Sequence, residues 1–511
     1  MKDEIKNIHL YESPYYTQNG RDWSECFWGA IDQADDPLHW DVSSILSIMS
    51  HNYTCGDRTL VEEVSRSPWL SSIDGSGQIC EEPLPAHGTN RVKPEAFAAK
   101  MLELLTAEAI TACHGKAEIY VLLSGGLDSR IIAGVLHRAY EAGAIKIKPI
   151  ALSWGLENSR DVQYARKVAG FLDFEFQHIQ MSPVDVYRNV IEGSKEIGCL
   201  VPPNHLHCMS WFKNLSEESI VIAGSYGDSI GRAEFSSLHL LELNYLKPKN
   251  MFGLLKKDLL GVAVSGLEQD FRDLKDRAGN VEKYIHCEHQ AQGIYMRNMI
   301  GHVMNVINGY SNLYQMFTSP SVYQYVWSIH PVYRDDKMYA NLLELLHPSL
   351  ARMPWARTNK ALKGKTRWAD KSLSKEFHTY QDWIKGPLYD DIGKLVDPDW
   401  FEATGIFDAE NVKKLSHAIK VGDPSYEKYR MRAYEQWLWL ASFRIFAQEL
   451  ESRSKVVSID VNIGECFSGN SVVVSEERSK LRRKMSELKP LYKVVSKMRK
   501  SYLKREALRK W

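Results

Sequence analysis

The chain has 511 residues, of which 44% are hydrophobic and 25% are charged. This length and balance predict two to four domains, or one large enzyme domain with attachments. They exclude a mainly disordered chain, a collagen-like fibre and a disulfide-dense mini-domain. The formal net charge of zero hides an asymmetry, because residues 478–511 carry 14 Lys and Arg against two acids, so this tail is +12 and the other residues together are −12.

The compartment is predicted from the absence of two signals. No run of about 18 apolar residues occurs, which is the length that a transmembrane helix needs, and the first six residues are too polar for a secretory leader. The eight cysteines are scattered and form no CxxC pair, which favours reduced thiols over a disulfide framework. We therefore expect a cytoplasmic protein without a transmembrane segment.

Three regions are predicted along the chain. Residues 1–93 are rich in aromatic residues and interrupted by prolines, which is typical of a small packed domain. Residues 94–475 form the main domain, and its first helix is expected at Pro94 because proline favours the first turn. Residues 476–511 combine an apolar helical stripe with Lys and Arg, which predicts a basic amphipathic helical tail.

Apolar runs of strand length alternate with helical patterns in the first half of the main domain. The runs are Ile119–Leu123, Ile147–Trp154, Phe174–Ile179 and Ile220–Ala223. This alternation predicts an α/β fold with a doubly wound, mostly parallel sheet. Beyond about residue 235 the pattern is mostly helical, so we expect a helical C-terminal half.

The first of these runs ends in the loop Ser124–Ser129, with the sequence SGGLDS, and a helical pattern follows. Two glycines allow a tight turn and a close approach to a ligand. Successive backbone N–H groups and the start of the helix suit an oxyanion, and the two serines add hydroxyl donors. A carboxylate at Asp128 would repel bare phosphate but would hold a Mg²⁺ that bridges phosphates. The loop therefore predicts a site for metal-bound pyrophosphate.

At this point the sequence resembles the N-type ATP pyrophosphatases, and more closely the synthetase domain of the asparagine synthetase family, whose relatives include β-lactam synthetases and lasso-peptide cyclases. SGGLDS after a strand is similar to the family's pyrophosphatase (PP) loop. Residues 151–155 resemble the second strand, where the family holds adenine, and Asp161 with residues 165–169 resembles its D…A..VA helix. Residues 224–228 stand where the family carries a loop of the type SGEGSDE. The resemblance covers about residues 95–350.

This resemblance implies an adenine nucleotide alpha hydrolase-like (PP-loop) fold and an AMP-forming ligase. A substrate carboxylate would attack ATP to give an acyl-adenylate and pyrophosphate, and ammonia or an amine would then displace AMP. ATP and Mg²⁺ are the implied cofactors, with Asp128 and Asp228 as metal ligands. The residues implied for the nucleotide are Leu122, Ser124, Gly125, Gly126, Leu127, Asp128, Ser129, Trp154 and Gly224. The residues implied for catalysis are Asp128, Asp228, Tyr226 and Lys360.

The sequence also departs from the family pattern. Ser225 occupies the place of the catalytic Glu or Tyr, with Tyr226 beside it, and Ser229 replaces a Glu. The usual catalytic lysine position falls near Pro354. The next basic residues are Arg357, Lys360, Lys363 and Lys365, among which Lys360 is favoured.

The N-terminal region resembles a reduced glutaminase domain, and residues 2–5 contain no cysteine nucleophile. We therefore expect ammonia from solution, a partner glutaminase or an amine substrate.

Other interpretations stay open at this level. A PP-loop enzyme that modifies tRNA could use the basic tail to hold RNA, and a degenerate scaffold could keep only the nucleotide loop. The tail itself fits docking on the acidic body, an anionic membrane surface or RNA. Two histidine-rich stretches, residues 205–208 and 286–289, suggest zinc only weakly, because their ligands are bunched too closely for a structural site.

Overall fold

A computed structural model describes residues 14–17, 22–74, 76–236, 248–423, 426 and 429–459. The predicted basic tail, residues 476–511, lies outside the described residues. Around the central sheet lie short strands in small pairings. These strands are Tyr15–Thr17, Trp23–Ser24, Leu38–His39, Val64–Arg66, Ser71–Ile73, Ile79–Glu81 and Val457–Ser458.

The centre of the fold is a five-stranded sheet in which every neighbouring pair is parallel. In chain order its strands are Glu118–Leu122, Ile150–Gly155, Glu175–Gln180, Ser219–Ala223 and Asn312–Gln315. Across the sheet they lie in the order fifth, fourth, first, second, third. The first strand is therefore central, and the strand order reverses between it and the fourth strand.

Helices surround this sheet and fill the C-terminal half. Up to the fourth strand they are Phe27–Gln33, Val42–His51, Pro94–Cys113, Asp128–Glu141, Arg160–Phe171, Pro183–Arg188 and Ser194–Glu196. After it they are Leu260–Ala278, Lys283–Gln290, His302–Met304, Pro320–Trp327, Asp336–Leu346, Pro348–Arg352, Tyr380–Lys385, Tyr389–Gly393, Pro398–Ala403, Ala409–Val421 and Arg430–Ser452. The segments Asn189–Gly193 and Ala291–Gly301 are π-helical.

Each face of the sheet carries its own hydrophobic core, as the alternation of side chains along a strand requires. Ile119, Val121 and Leu123 belong to the first core, which holds the helices Pro94–Cys113 and Asp128–Glu141. Tyr120 and Leu122 belong to the second core. The α/β fold class with a doubly wound parallel sheet and a helical C-terminal half is therefore confirmed.

The second core joins the N-terminal region to the C-terminal helices. The ring centroid of Trp40 lies 4.7 Å from that of Phe443, and Phe27 lies 5.6 Å from Phe446. The strand Leu38–His39 also pairs with the last described strand. Hydrophobic packing is thus continuous across the predicted boundary at residue 93, and the division into separate domains stays a prediction.

A buried ionic triad ties the N-terminal region to the main fold. His87 Nε2 lies 2.7 Å from Glu288, and Arg334 Nη2 lies 2.6 Å from the same carboxylate oxygen. The three side chains are at most 1% exposed. Burial alone would raise the pKa of Glu288, but the positive charge of Arg334 and the hydrogen bonds that His87 and Arg334 donate outweigh it and hold that pKa below its usual value.

We expect Glu288→Gln to destabilise the protein by about 3–5 kcal/mol, because it leaves the Arg334 guanidinium buried without its counter-charge. Chemical denaturation monitored by circular dichroism measures this change. Glu268→Gln is the matched control, because Glu268 is 55% exposed and its ion pair with Arg272 spans 3.9 Å. Equal stability of the two variants would show that the triad contributes no more than a surface pair.

The buried imidazole of His302 predicts a pH dependence of stability. Its Nε2 lies 3.0 Å from the carbonyl oxygen of Ile197, and burial, with Arg66 nearby, lowers its pKa to about 3. In the unfolded chain the pKa is about 6.5. The contribution of His302 to stability is therefore present above pH 6.5 and is lost as the pH falls toward its folded value.

His302→Gln removes this titration, so its stability relative to wild type should improve by about 2 kcal/mol between pH 7.5 and pH 5. Denaturation of both proteins at the two pH values measures this difference. A constant difference between the two proteins would contradict the assignment.

Candidate active site

Two loops leave the sheet side by side at the carboxyl ends of its central strands. Residues 124–127 follow the first strand and lead into the helix that begins at Asp128. Residues 224–228 follow the fourth strand. Because the strand order reverses between these strands, the loops lie at the topological switch point, where open α/β sheets bind ligands.

The SGGLDS loop is held by hydrogen bonds within the chain. The Ser124 N–H donates to Ser129 Oγ at 3.1 Å, and the Gly126 N–H donates to Ser124 Oγ at 3.1 Å. The Gly125 N–H donates to the Asp161 carboxylate. The amides of Ser124, Gly125 and Gly126, which the sequence predicts to contact pyrophosphate, therefore donate to groups of the protein itself in this structure.

Sequence reasoning did not identify the residue that anchors this loop, Arg130. Its side chain is buried, and its guanidinium donates to the carbonyl oxygens of Gly125 and Pro354 at 3.2 and 2.9 Å. Ala356 N–H also donates to Gly125 O at 3.0 Å. A Cβ on Gly125 would lie 2.6 Å from Ala356 Cβ. Gly125 is therefore required by the packing of residues 354–356 over the loop.

The second loop brings Asp228 to Asp128. A Cβ on Gly227 would lie 2.4 Å from Asp128 Oδ1, so the two loops are in direct contact. Burial raises the pKa of Asp228 to about 7, and the negative charge of Asp128 adds to this rise. Burial likewise raises the pKa of Asp128, while Arg232 opposes the rise. These two carboxylates form an acidic pair at the switch point.

The acidic pair has the donor atoms that a divalent cation needs. Asp128 Oδ1 and Asp228 Oδ1 are buried and have no hydrogen-bond partner within the part of the chain that the structure describes. Carboxylate oxygens are preferred ligands of Mg²⁺, which commonly takes one or two of them and completes its shell with water and substrate phosphates. No larger cluster of three or more ligating side chains occurs among the described residues. The pair therefore fits a Mg²⁺ that is shared with a nucleotide.

A guanidinium that the sequence did not reveal lies beside this pair. Arg232 is 7% exposed, and its Nη2 lies 3.6 Å from Asp128 Oδ2 and 3.5 Å from Glu234. Its Nη1 lies 3.1 Å from Asp336. The only sequence signal was a basic residue four positions after Asp228, and Asp336 is too distant along the chain to be paired with it by pattern.

The predicted nucleotide residues occupy different environments. Trp154 is half-buried at the end of the second strand and stacks on His207 with 6.3 Å between ring centroids. A Cβ on Gly224 would lie 3.1 Å from the Asp128 carbonyl oxygen, so this glycine permits the two loops to meet. Leu122 and Leu127 are buried, in the second and the first core respectively. Their predicted contacts with a nucleotide stay predictions.

The two remaining catalytic predictions concern Tyr226 and Lys360. Tyr226 is 1% exposed and packs in the first core. Lys360 is exposed, and its carbonyl oxygen accepts from the Trp355 N–H at 3.0 Å. Among the basic residues that follow Pro354, Arg357 pairs with Glu234, which also pairs with Arg232, and its Nη1 lies 2.7 Å from the Glu234 carboxylate. The catalytic roles of Tyr226 and Lys360 stay predictions.

The histidine-rich stretches have other partners. His205 Nε2 lies 3.2 Å from Glu435, and His207 Nδ1 lies 2.6 Å from the Tyr380 hydroxyl. In the second stretch, Glu288 belongs to the buried triad with His87 and Arg334. His205, His207 and Glu288 are thus each paired with another protein side chain.

Comparison with known proteins supports the resemblance over part of the chain. Residues 100–194 match the asparagine synthase family model, and this segment contains the SGGLDS loop and the first three strands of the sheet. A probable asparagine synthetase [glutamine-hydrolyzing] of Acanthamoeba polyphaga mimivirus is 35% identical over 97 residues, which are 19% of this chain and 17% of that protein. The predicted resemblance to the asparagine synthetase-like family is confirmed over this segment.

One solved structure, of NMN synthetase from Francisella tularensis, is 15% identical with a TM-score of 0.21. The match covers 43% of this chain and 93% of that chain. Separately, none of the described helices combines the length and the apolar character that crossing a bilayer requires.

Proposed function

We propose that this chain is an ATP-dependent, amide-forming ligase of the asparagine synthetase type. The observation that carries this proposal is the meeting of Asp128 and Asp228 at the switch point, where each has one buried carboxylate oxygen without a hydrogen-bond partner among the described residues. The segment similar to the asparagine synthase family ends at residue 194. The second loop, with Asp228, therefore supports the proposal independently of that match.

In the first step a substrate carboxylate attacks the α-phosphate of ATP, which yields an acyl-adenylate and releases pyrophosphate. Asp128 and Asp228 would hold a Mg²⁺, which would supply positive charge to offset the charge of the departing pyrophosphate. The amides of the SGGLDS loop contact the same phosphates, which is electrostatic stabilisation by preorganised donors. Trp154, Leu122 and Gly224 shape the nucleotide pocket.

In the second step ammonia or an amine attacks the acyl carbon, and AMP leaves. A cation near the acidic pair stabilises the charge that develops on the leaving group. Lys360 is the proposed cation, with Tyr226 as a second catalytic group. The nitrogen comes from solution, from a partner glutaminase or from an amine substrate.

Nucleotide turnover tests this proposal. The protein is incubated with Mg²⁺, α-labelled ATP and a panel of amino acids, sugar acids and peptide carboxylates, and AMP and ADP are separated by chromatography. AMP and pyrophosphate in equal amounts are the expected products. Release of ADP would contradict the proposed chemistry, and AMP release that depends on added RNA would favour tRNA modification. Nucleotide binding without turnover on the whole panel would favour a degenerate scaffold.

A further inference from the structure

The guanidinium of Arg232 is held in place from several sides. Its Cζ lies 5.4 Å from the ring centroid of Tyr339 and 5.3 Å from that of Trp355. On one edge it faces Asp128 and Glu234, and on another it faces Asp336. The side chain is thus a fixed positive charge beside the acidic pair.

This charge shares a carboxylate with the metal position. Arg232 Nη2 lies 3.6 Å from Asp128 Oδ2, whereas Asp128 Oδ1 is buried and has no hydrogen-bond partner in the described part of the chain. A cation bound at Oδ1 would therefore lie within a few ångströms of the guanidinium and would be repelled by it. Low solvent access at this place strengthens the repulsion, since screening by water and salt is weak for buried charges.

The same charge has the opposite effect on a metal–nucleotide complex. Mg²⁺ bound to ATP keeps a net negative charge on the phosphates, so the complex is attracted to a guanidinium that repels the free ion. Arginine also presents several N–H donors in a planar fork that suits phosphate oxygens. Arg232 thus disfavours binding of the free metal ion to the acidic pair and favours binding of the Mg²⁺–nucleotide complex.

We propose that Arg232 makes the Asp128–Asp228 pair selective for the Mg²⁺–nucleotide complex over the free metal ion. This inference rests on the proposed function, because it assumes that the pair receives a nucleotide-bound metal. It assigns specificity to a residue outside both loop motifs. As a consequence, the metal ion and the nucleotide would bind to the acidic pair as one complex rather than one after the other.

The test compares two affinities in Arg232→Gln and in wild type at constant pH. Binding of Mn²⁺ alone is measured by electron paramagnetic resonance, and binding of α,β-methylene-ATP with Mg²⁺ is measured by calorimetry. We expect the variant to bind Mn²⁺ about tenfold more tightly and the Mg²⁺–nucleotide analogue about tenfold more weakly. Arg232→Lys, which keeps the charge but loses the planar fork of donors, should stay within about threefold of wild type for Mn²⁺ alone and should bind the Mg²⁺–nucleotide analogue more weakly than wild type but more tightly than Arg232→Gln.

A purely structural role would not shift the two affinities in opposite directions. Arg272→Gln is the matched control, because Arg272 is 52% exposed in a surface pair with Glu268, and it should change neither affinity. If Arg232→Gln does not fold, Arg232→Met keeps an apolar stem between the rings of Tyr339 and Trp355 and replaces it in the test. Parallel weakening of both ligands, or no change in either, would overturn the inference alone. A wild-type protein that binds Mn²⁺ but no nucleotide would overturn the proposed function together with it.

Discussion

If the proposed function holds, Asp128→Asn is expected to lower ATP–pyrophosphate exchange by about 10³-fold, because an amide would bind the proposed Mg²⁺ more weakly than a carboxylate does. The exchange assay with labelled pyrophosphate, run with a carboxylate that supports AMP release, measures the loss. Asp228→Asn should have an effect of the same order, since the proposal assigns both carboxylates to one ion. Exchange at the wild-type rate in either variant would contradict the metal site.

We expect Asp128→Asn to leave the fold intact. Burial raises the pKa of Asp128, which means that its ionised form is disfavoured in the folded protein, and an amide of the same shape removes that cost. Arg232 keeps Glu234 and Asp336 as partners. We therefore expect a melting temperature equal to or above that of wild type, as is common where a site exchanges stability for function.

Asp173→Asn is the control, because it replaces an aspartate with an asparagine at a position away from the candidate site. Asp173 is 90% exposed in a pair with Lys148 and lies on the surface after the helix Arg160–Phe171. It should leave exchange unchanged. A fall in the melting temperature of Asp128→Asn that accompanies the loss of exchange would assign the defect to folding instead.

Gly227→Ala is expected to lower exchange by about 10²-fold without removing any functional group. The added Cβ would lie 2.4 Å from Asp128 Oδ1 and 2.7 Å from Asp128 Cβ and Cγ. Since such distances are below van der Waals contact, the carboxylate or the second loop must shift, and a displacement of about 1 Å at reacting groups costs about this factor. The exchange assay and the Mn²⁺ affinity should both report the shift.

Gly170→Ala is the matched control, because a Cβ on Gly170 would meet nothing within 4 Å. This glycine lies in the helix Arg160–Phe171, where alanine is the better helix former, so the control should be as stable as wild type or slightly more stable. Unchanged exchange in Gly227→Ala would show that the second loop does not press on Asp128.

The fold class and the first loop could be predicted because their signals are local. Strand-length runs such as Ile220–Ala223 alternate with helical patterns. The start of a helix at Pro94 was predicted because proline favours the first turn of a helix, and the structure places it there. The edge strand Asn312–Gln315 was missed, because four residues with alternating burial carry too little pattern to differ from a loop. The region beyond residue 235 was therefore predicted as mostly helical, without this strand.

For the candidate site, too, some features follow from the sequence and others only from the tertiary structure. The sequence by itself determined that a glycine-rich turn with Asp128 follows a buried strand, and the family resemblance pointed to Asp228. Only the tertiary structure decided that Arg232 lies beside Asp128, that Arg130 anchors the loop, and that Gly227 presses on Asp128. A motif is encoded by neighbouring residues and their preferred backbone shapes, whereas contacts between distant segments depend on strand order and on the packing of both sheet faces, which no single stretch of sequence contains.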